Sequence, residues 1–244
     1  MCARFTLRTR PSVWIAELSE ALSAVASGEW LFDSVEAEEL SAADWQPRFN
    51  IAPTQGVWGL CSGYQSQIEL RQLRWGFVPS WTDDLSMGQR MINGRSETLH
   101  EKPAFRSAFR ERRCVLPADG YLEWTTEPNG KQPHLIERRD REVFFLAGLW
   151  EQNRKVTADD TVITSCTIAT TSANETTAAL HDRMPVLLDP ERAASWLTHL
   201  SDRDLLQPAP EDWLMSTPVS RRVNSPRHDD EDCLRRSDKQ QRLF

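Results

Sequence analysis

The chain has 244 residues, of which 39% are hydrophobic and 27% charged, and its formal net charge is −7. With 10 Trp and 9 Phe it is too aromatic for a disordered chain, and it is too charged for a membrane protein. The length suits one domain whose core needs no disulfide or metal to hold it.

Residues 12–27 read as an amphipathic helix. Ser12 is a plausible N-cap, Trp14, Leu18, Leu22 and Val25 recur along one face, and Gly28 can end it. Residues 29–55 read as a long connection. Segments 57–62 and 68–77 read as strands around a Ser62-Gly63-Tyr64 turn. Residues 78–96 are rich in Gly, Ser and Asp and read as irregular. Pro103 is placed at the first position of a short helix reaching about Arg112, with Phe105 and Phe109 inward. Segments 114–116, 135–138, 143–149 and 162–169 read as strands, and Asn129-Gly130 is a hairpin-turn signal before the second of them. Asp189-Pro190-Glu191 opens another helix with Trp196, Leu197 and Leu200 on one face. Residues 226–244 are expected to form a loose tail after a domain spanning 1–225. Strands and short helices mix without βαβ alternation, which predicts an α+β fold with a mostly antiparallel sheet.

No apolar run approaches the roughly 18 residues of a spanning helix, and the first residues lack the apolar stretch of a signal peptide. The cysteines at 2, 61, 114, 166 and 233 are odd in number and form no C-x-x-C pair. The expectation is a reduced, cytoplasmic, monomeric protein with no cofactor and no metal. Charge is uneven along the chain. Residues 29–44 carry six acidic side chains and no basic one, whereas residues 88–114 carry seven basic against three acidic. A locally basic face is one reading of this, and a solvated mixed surface is the other.

Cys2 is the most informative position. Once Met1 is removed it carries an α-amine and a thiol on adjacent carbons, with reference pKa values of about 7.7–8.0 and about 8.5. A 1,2-aminothiol condenses with an aldehyde to a Schiff base and then a five-membered thiazolidine. An N-terminal Cys also serves as an acyl-transfer nucleophile, with its own amine as base. Glu123 lies between Leu122 and Trp124. In an apolar pocket it would act as a general acid near neutrality, and on an alternating strand it would face water. His181, in Leu180-His-Asp-Arg-Met-Pro185, is either a proton carrier or a surface turn residue. Asn93 and Arg95 stand in an otherwise structured string. Trp75-Gly-Phe-Val-Pro-Ser-Trp81 sets aromatics around a Gly and a Pro, suited to stacking on bases or to a core.

Together these strings resemble the SOS-response-associated peptidase (SRAP) family, whose members process abasic sites in single-stranded DNA. The resemblance runs through residues 2–225. It rests on Met1-Cys-Ala-Arg-Phe5, Arg48-Phe-Asn-Ile-Ala-Pro-Thr54, Trp75-Gly-Phe-Val-Pro-Ser-Trp81, Ile92-Asn-Gly-Arg-Ser-Glu-Thr98, Pro103-Ala-Phe-Arg106, Cys114-Val-Leu-Pro-Ala-Asp-Gly-Tyr-Leu-Glu-Trp124, His181-Asp-Arg-Met-Pro185 and Pro218-Val-Ser220. It implies one α+β domain around a curved, barrel-like antiparallel sheet with peripheral helices. It implies loss of Met1, a thiazolidine crosslink from Cys2 to the opened abasic sugar, and an associated lyase activity if the ring fails to close. Cys2, Asn93, Glu123 and His181 match the catalytic set. Arg4 and Arg95 match residues that hold the DNA backbone, Trp75 part of a DNA-facing aromatic loop, and Thr170 a more weakly aligned part of the pocket. Two departures stand out: Ala3 replaces the usual Gly after the Cys, and Gly94 replaces the usual Ala of Ile-Asn-Ala-Arg. An N-terminal-nucleophile amidohydrolase, a cysteine peptidase and a non-catalytic nucleic-acid-binding module are the competing classes.

Overall fold

The computed structural model describes residues 2–25, 30–31, 45–63, 67–158, 161–198 and 204–237. In chain order come β1 (Arg4–Leu7), α1 (Pro11–Val25), β2 (Trp30–Leu31), β3 (Arg48–Ile51), β4 (Gly56–Ser62), β5 (Ile68–Trp75), β6 (Asn93–Arg95), α2 (Arg106–Glu111), β7 (Arg113–Ala118), β8 (Gly120–Glu127), β9 (Gly130–Arg138), β10 (Phe144–Asn153), β11 (Ile163–Ser172), α3 (Glu175–Ala178), β12 (Arg183–Pro185), β13 (Leu187–Leu188), α4 (Pro190–Leu197) and β14 (Leu214–Pro218).

The strands form two sheets. One has five strands in the order β14-β9-β8-β1-β3, all antiparallel. The other runs β12-β11-β10-β7-β4-β5-β2, and a further β11–β5 pairing closes five of its strands into a ring. The curved antiparallel sheet expected from the family resemblance is therefore present. Three pairings depart from it by being parallel: β2 with β5, β5 with β11, and β6 with β11. Closure explains why β10 reads as an almost unbroken apolar run: Phe144, Phe145, Leu146, Ala147 and Leu149 are all fully buried.

Local chemistry sets the element ends. The β8–β9 hairpin turns where Asn129-Gly130 was expected to turn it, and Gly130 takes φ +111, a region costly for residues with a Cβ. Helix α4 is capped by Asp189, whose side chain accepts from the Arg192 N–H at 2.8 Å, with Pro190 in the first turn. Helix α1 begins at Pro11 rather than after a Ser12 cap, because proline's fixed φ already suits the first turn. It buries Trp14, Ile15, Leu18 and Leu22. The short helix expected from Pro103 starts later, at Arg106, after a run of turns, and does bury Phe109 with Phe105 beside it. The segment read as irregular holds a 3-10 helix, Leu85–Arg90, and strand β6. Leu200, Gly28, Tyr64 and all of the acidic 29–44 run except Trp30–Leu31 lie outside the described residues.

The tail expected to be loose from 226 is packed through 237. Asp229 accepts from the Phe49 and Asn50 backbone N–H groups at 2.6 and 2.8 Å and pairs with Arg48. Asn50, fully buried, donates to the carbonyls of Val223, Ser225 and His228. Cys233 joins Leu122, Leu135, Val219 and Val223 in a small second core. The sequence of this segment is polar, and its order comes from these contacts with β3 rather than from apolar patterning.

Candidate functional site

The site gathers at the start of β1, where it runs against β8. Arg4 faces Leu122 and Phe5 faces Tyr121 across the pair. Cys2, just ahead of the strand, is fully buried. Its backbone carbonyl accepts a 2.7 Å hydrogen bond from Asn93 Nδ2, which fixes the end of the chain against β6. Burial pushes the Cys2 thiol far above the ordinary thiol range, and the nearby Glu123 charge pushes the same way. Glu123 is only 5% exposed, and burial raises its carboxyl above the usual range, opposed by positive charge that includes His181. The pocket reading of Glu123 is therefore the one the fold realises, not the solvent-facing one.

His181 sits in the turn after α3, half-buried. The Arg183 N–H donates to its Nδ1 at 2.9 Å, which in the neutral ring leaves the proton on Nε2. The Asp182 carboxylate lies 2.7 Å from the same Nδ1, ready to accept when the ring is charged. Helix α3 holds this turn in place, since Asn174 caps it by accepting from the Thr177 N–H and the Thr177 carbonyl accepts from the His181 N–H.

Arg4 lies along a cleft of about 440 Å³ with Ala3, Trp124, Lys131 and Asn224. Its guanidinium stands 5.8 Å over the Trp124 ring, and Trp124 Nε1 donates to Asn224 Oδ1 at 2.7 Å. Ala3 thus lines the cleft and does not close it. Arg95 is exposed on β6. Gly94, beside it, is held by close approach: a Cβ there would lie 2.4 Å from Leu99 Cδ2.

Two residues that the resemblance matches to the DNA-facing loop and the pocket, Trp75 and Thr170, are fully buried. Trp75 has no exposed surface; its ring packs edge-on to Phe5 with centroids 5.3 Å apart, and its Nε1 donates to the Ile92 carbonyl. An indole enclosed this way backs the site and cannot stack on a base. The exposed aromatic of that string is Trp81, at 56%. Thr170 is also fully buried, with Oγ1 donating to the Gly94 carbonyl at 3.3 Å, so it fastens β11 to β6 beneath the pocket. Sequence reading missed Arg183. It grips Glu97 through both terminal nitrogens, at 2.5 and 2.9 Å, and donates to the Thr170 carbonyl. It also missed Lys131 and Asn224 of the cleft, whose only signal is three-dimensional. Among the described residues no group of three or more His, Cys, Asp or Glu side chains could hold a metal, and all five cysteines are free and buried.

A family model described as SOS response associated peptidase (SRAP) matches residues 1–226. The chain belongs to the SRAP family. The abasic site processing protein YoqW of Bacillus subtilis is 33% identical over 240 residues, covering 96% of this chain and 99% of that one. The abasic site processing protein YobE of the same organism is 37% identical over 193 residues, covering 77% and 87%. A crystal structure of a protein from Bacteroides thetaiotaomicron superimposes with a TM-score of 0.73 at 20% identity, covering 97% of this chain and all of the other, so the two share a fold. No helix among the described residues is long and apolar enough to cross a membrane.

Proposed function

We propose that the protein recognises abasic sites in single-stranded DNA and links itself to them through Cys2 after Met1 is removed. The observation that carries this reading is the enclosure of Cys2 with a carboxyl whose pKa is raised, its carbonyl tied to Asn93, and His181 at the edge. The relatives named abasic site processing proteins support it.

An abasic sugar exchanges between a closed hemiacetal and an open aldehyde. Glu123, its carboxyl raised by burial, exchanges protons as the ring opens, and His181 Nε2 delivers one to the O4′ oxygen that is released. The Cys2 amine then adds to C1′, water leaves, and an iminium remains. A thiol kept protonated by burial does not compete for that first step. It closes second: sulfur bonds to C1′, the C=N electron pair moves to nitrogen, and the thiol proton passes to the Glu123 carboxylate. Asn93 fixes the reacting end, and proximity of this kind contributes several kcal/mol, about 7–11 at most. If sulfur fails to close, the iminium is open to β-elimination and strand cleavage. Arg4 and Arg95 hold phosphates, so affinity falls as salt rises.

The test mixes the protein with a single-stranded oligonucleotide carrying one abasic site and compares wild type, Cys2→Ser and a form extended at the N-terminus. Wild type should lack Met1 by intact mass and give a heat-stable adduct. Cys2→Ser should give little stable adduct but a borohydride-trapped one. The extended form should give neither. A stable adduct from the extended form rules out the thiazolidine.

A further inference from the structure

The turns that follow β6 carry charge that the candidate site does not use. Asn93 and Arg95 leave the same face of β6, and Asn93 holds the Cys2 carbonyl, so the exposed Arg95 stands on the side of the strand that faces the reacting end. From there the chain climbs in linked turns. The Leu99 N–H donates to the Arg95 carbonyl at 3.0 Å, the Lys102 N–H to the Thr98 carbonyl at 3.0 Å and the Arg106 N–H to the Lys102 carbonyl at 2.9 Å, and α2 continues the run to Glu111. Phe105, Ala108 and Phe109 are buried on the inner face, Phe105 edge-on to Phe77 and Phe109 edge-on to Trp196. This packing turns the opposite face outward. Lys102, Arg106 and Arg110 are all exposed there, and their spacing of four residues stacks them one turn apart, at intervals of about 6 Å.

The acidic neighbours of these cations are engaged elsewhere. Arg183 grips Glu97, Glu101 lies 3.1 Å from His100 Nε2, and Glu111 lies 3.2 Å from Arg112. Among the described residues, Lys102, Arg106 and Arg110 form no ion pair. Like charges at one-turn spacing destabilise a helix, and no contact within the fold offsets that. On a chain of net charge −7, such a stripe is complementary to a polyanion. We propose that Lys102, Arg106 and Arg110 form a track for successive phosphates of the single strand that flanks the abasic nucleotide, entered from the candidate site through Arg95. This deepens the crosslinking reading above and rests on it for the place of the abasic nucleotide at Cys2. The track lies to one side of Cys2, so it engages one flank of the lesion, and it holds backbone without reading bases.

The experiment measures equilibrium binding of single-stranded oligonucleotides that carry one tetrahydrofuran residue, an abasic analogue that cannot open to an aldehyde. Salt runs from about 50 to 300 mM. One series has a long flank only on the 5′ side of the analogue, the other only on the 3′ side. Lys102→Gln, Arg106→Gln and Arg110→Gln combined should flatten the plot of log affinity against log salt by about two in one series alone. Binding in that series should weaken about ten- to a hundredfold at the lowest salt. Lys102→Arg, Arg106→Lys and Arg110→Lys combined should keep the wild-type slope. Arg110→Gln alone should flatten the same series by about 0.7, and it carries the test if the triple variant melts early. An unchanged slope in both series would overturn the proposal, as would equal flattening in both, which reports lost net charge and not a track. A wild type that makes no adduct with a true abasic oligonucleotide, while the one-sided effect on binding persists, would overturn the crosslinking reading and leave the track standing.

Discussion

Burial makes the charge of both Cys2 and Glu123 more costly and shifts both upward, and the Glu123 charge adds to the shift at Cys2. The same burial that raises the Glu123 carboxyl weakens the fold as pH rises. The sign follows from linkage. A carboxyl with a raised folded pKa gives full stability below its unfolded value, near 4.5, and loses it as pH climbs through the folded value. Glu123→Gln removes the titration but keeps the shape. Its melting temperature should match wild type at about pH 4 and exceed it at about pH 8, while crosslinking falls by about 10²–10⁴-fold. A gap in melting temperature that is independent of pH would mean that Glu123 is not paying a burial cost. The residues of this site were legible in the sequence as types set in particular strings, but not as neighbours. Asn93 and Cys2 meet across 91 positions, a separation that leaves no local signal. Trp75 was misplaced because a Trp-Gly-Phe string looks the same whether the indole faces inward or outward, and enclosure by Phe5 and the Ile92 carbonyl decides it.

At the scale of elements, β6 carries both Asn93 and Arg95 on three residues, and its position depends on parallel pairing with β11. Such a short parallel strand has neither an alternating pattern nor a turn of its own, so sequence periodicity gives it no signature, whereas β10, buried on nearly every position, announces itself. Gly94 is where β6 meets the core. The usual Ala of the family would set its Cβ 2.4 Å from Leu99 Cδ2, and Leu99 is fully buried with little room to turn. Gly94→Ala should therefore cost about 1–3 kcal/mol by overcrowding. Leu99→Ala should cost about 2–5 kcal/mol by leaving a cavity. The double variant should lose less than the sum, because each change relieves the other. Additive losses in denaturant melts would show that the contact does not govern the choice of glycine at 94.

For the whole molecule, the two sheets share a boundary at β1, and the C-terminal segment ties that boundary from outside. Asp229 holds the backbone of Phe49 and Asn50, Arg236 bridges to Val219, the Ser237 N–H donates to the Pro218 carbonyl, and Cys233 fills the small core under β8 and β9. Through Asn50 the same segment steadies β3, and β3 is the outer neighbour of β1, which leads to Cys2. A chain cut after residue 226, where the family match ends, keeps every residue of the candidate site but loses these contacts. The two charge-assisted hydrogen bonds that Asp229 accepts from the Phe49 and Asn50 N–H groups are worth about 1.5–3 kcal/mol each. Loss of Cys233 adds an unfilled gap beside Leu122, the neighbour of Glu123. The truncated protein should melt several degrees lower, by about 2–4 °C per kcal/mol lost in a domain of this size. Amide exchange should quicken first in β3 and β1 and leave the β10–β11 ring protected. If exchange in β1 is unchanged by the cut, the segment stabilises only its own surroundings and the end of the chain bearing Cys2 is held by β8 and Asn93 alone.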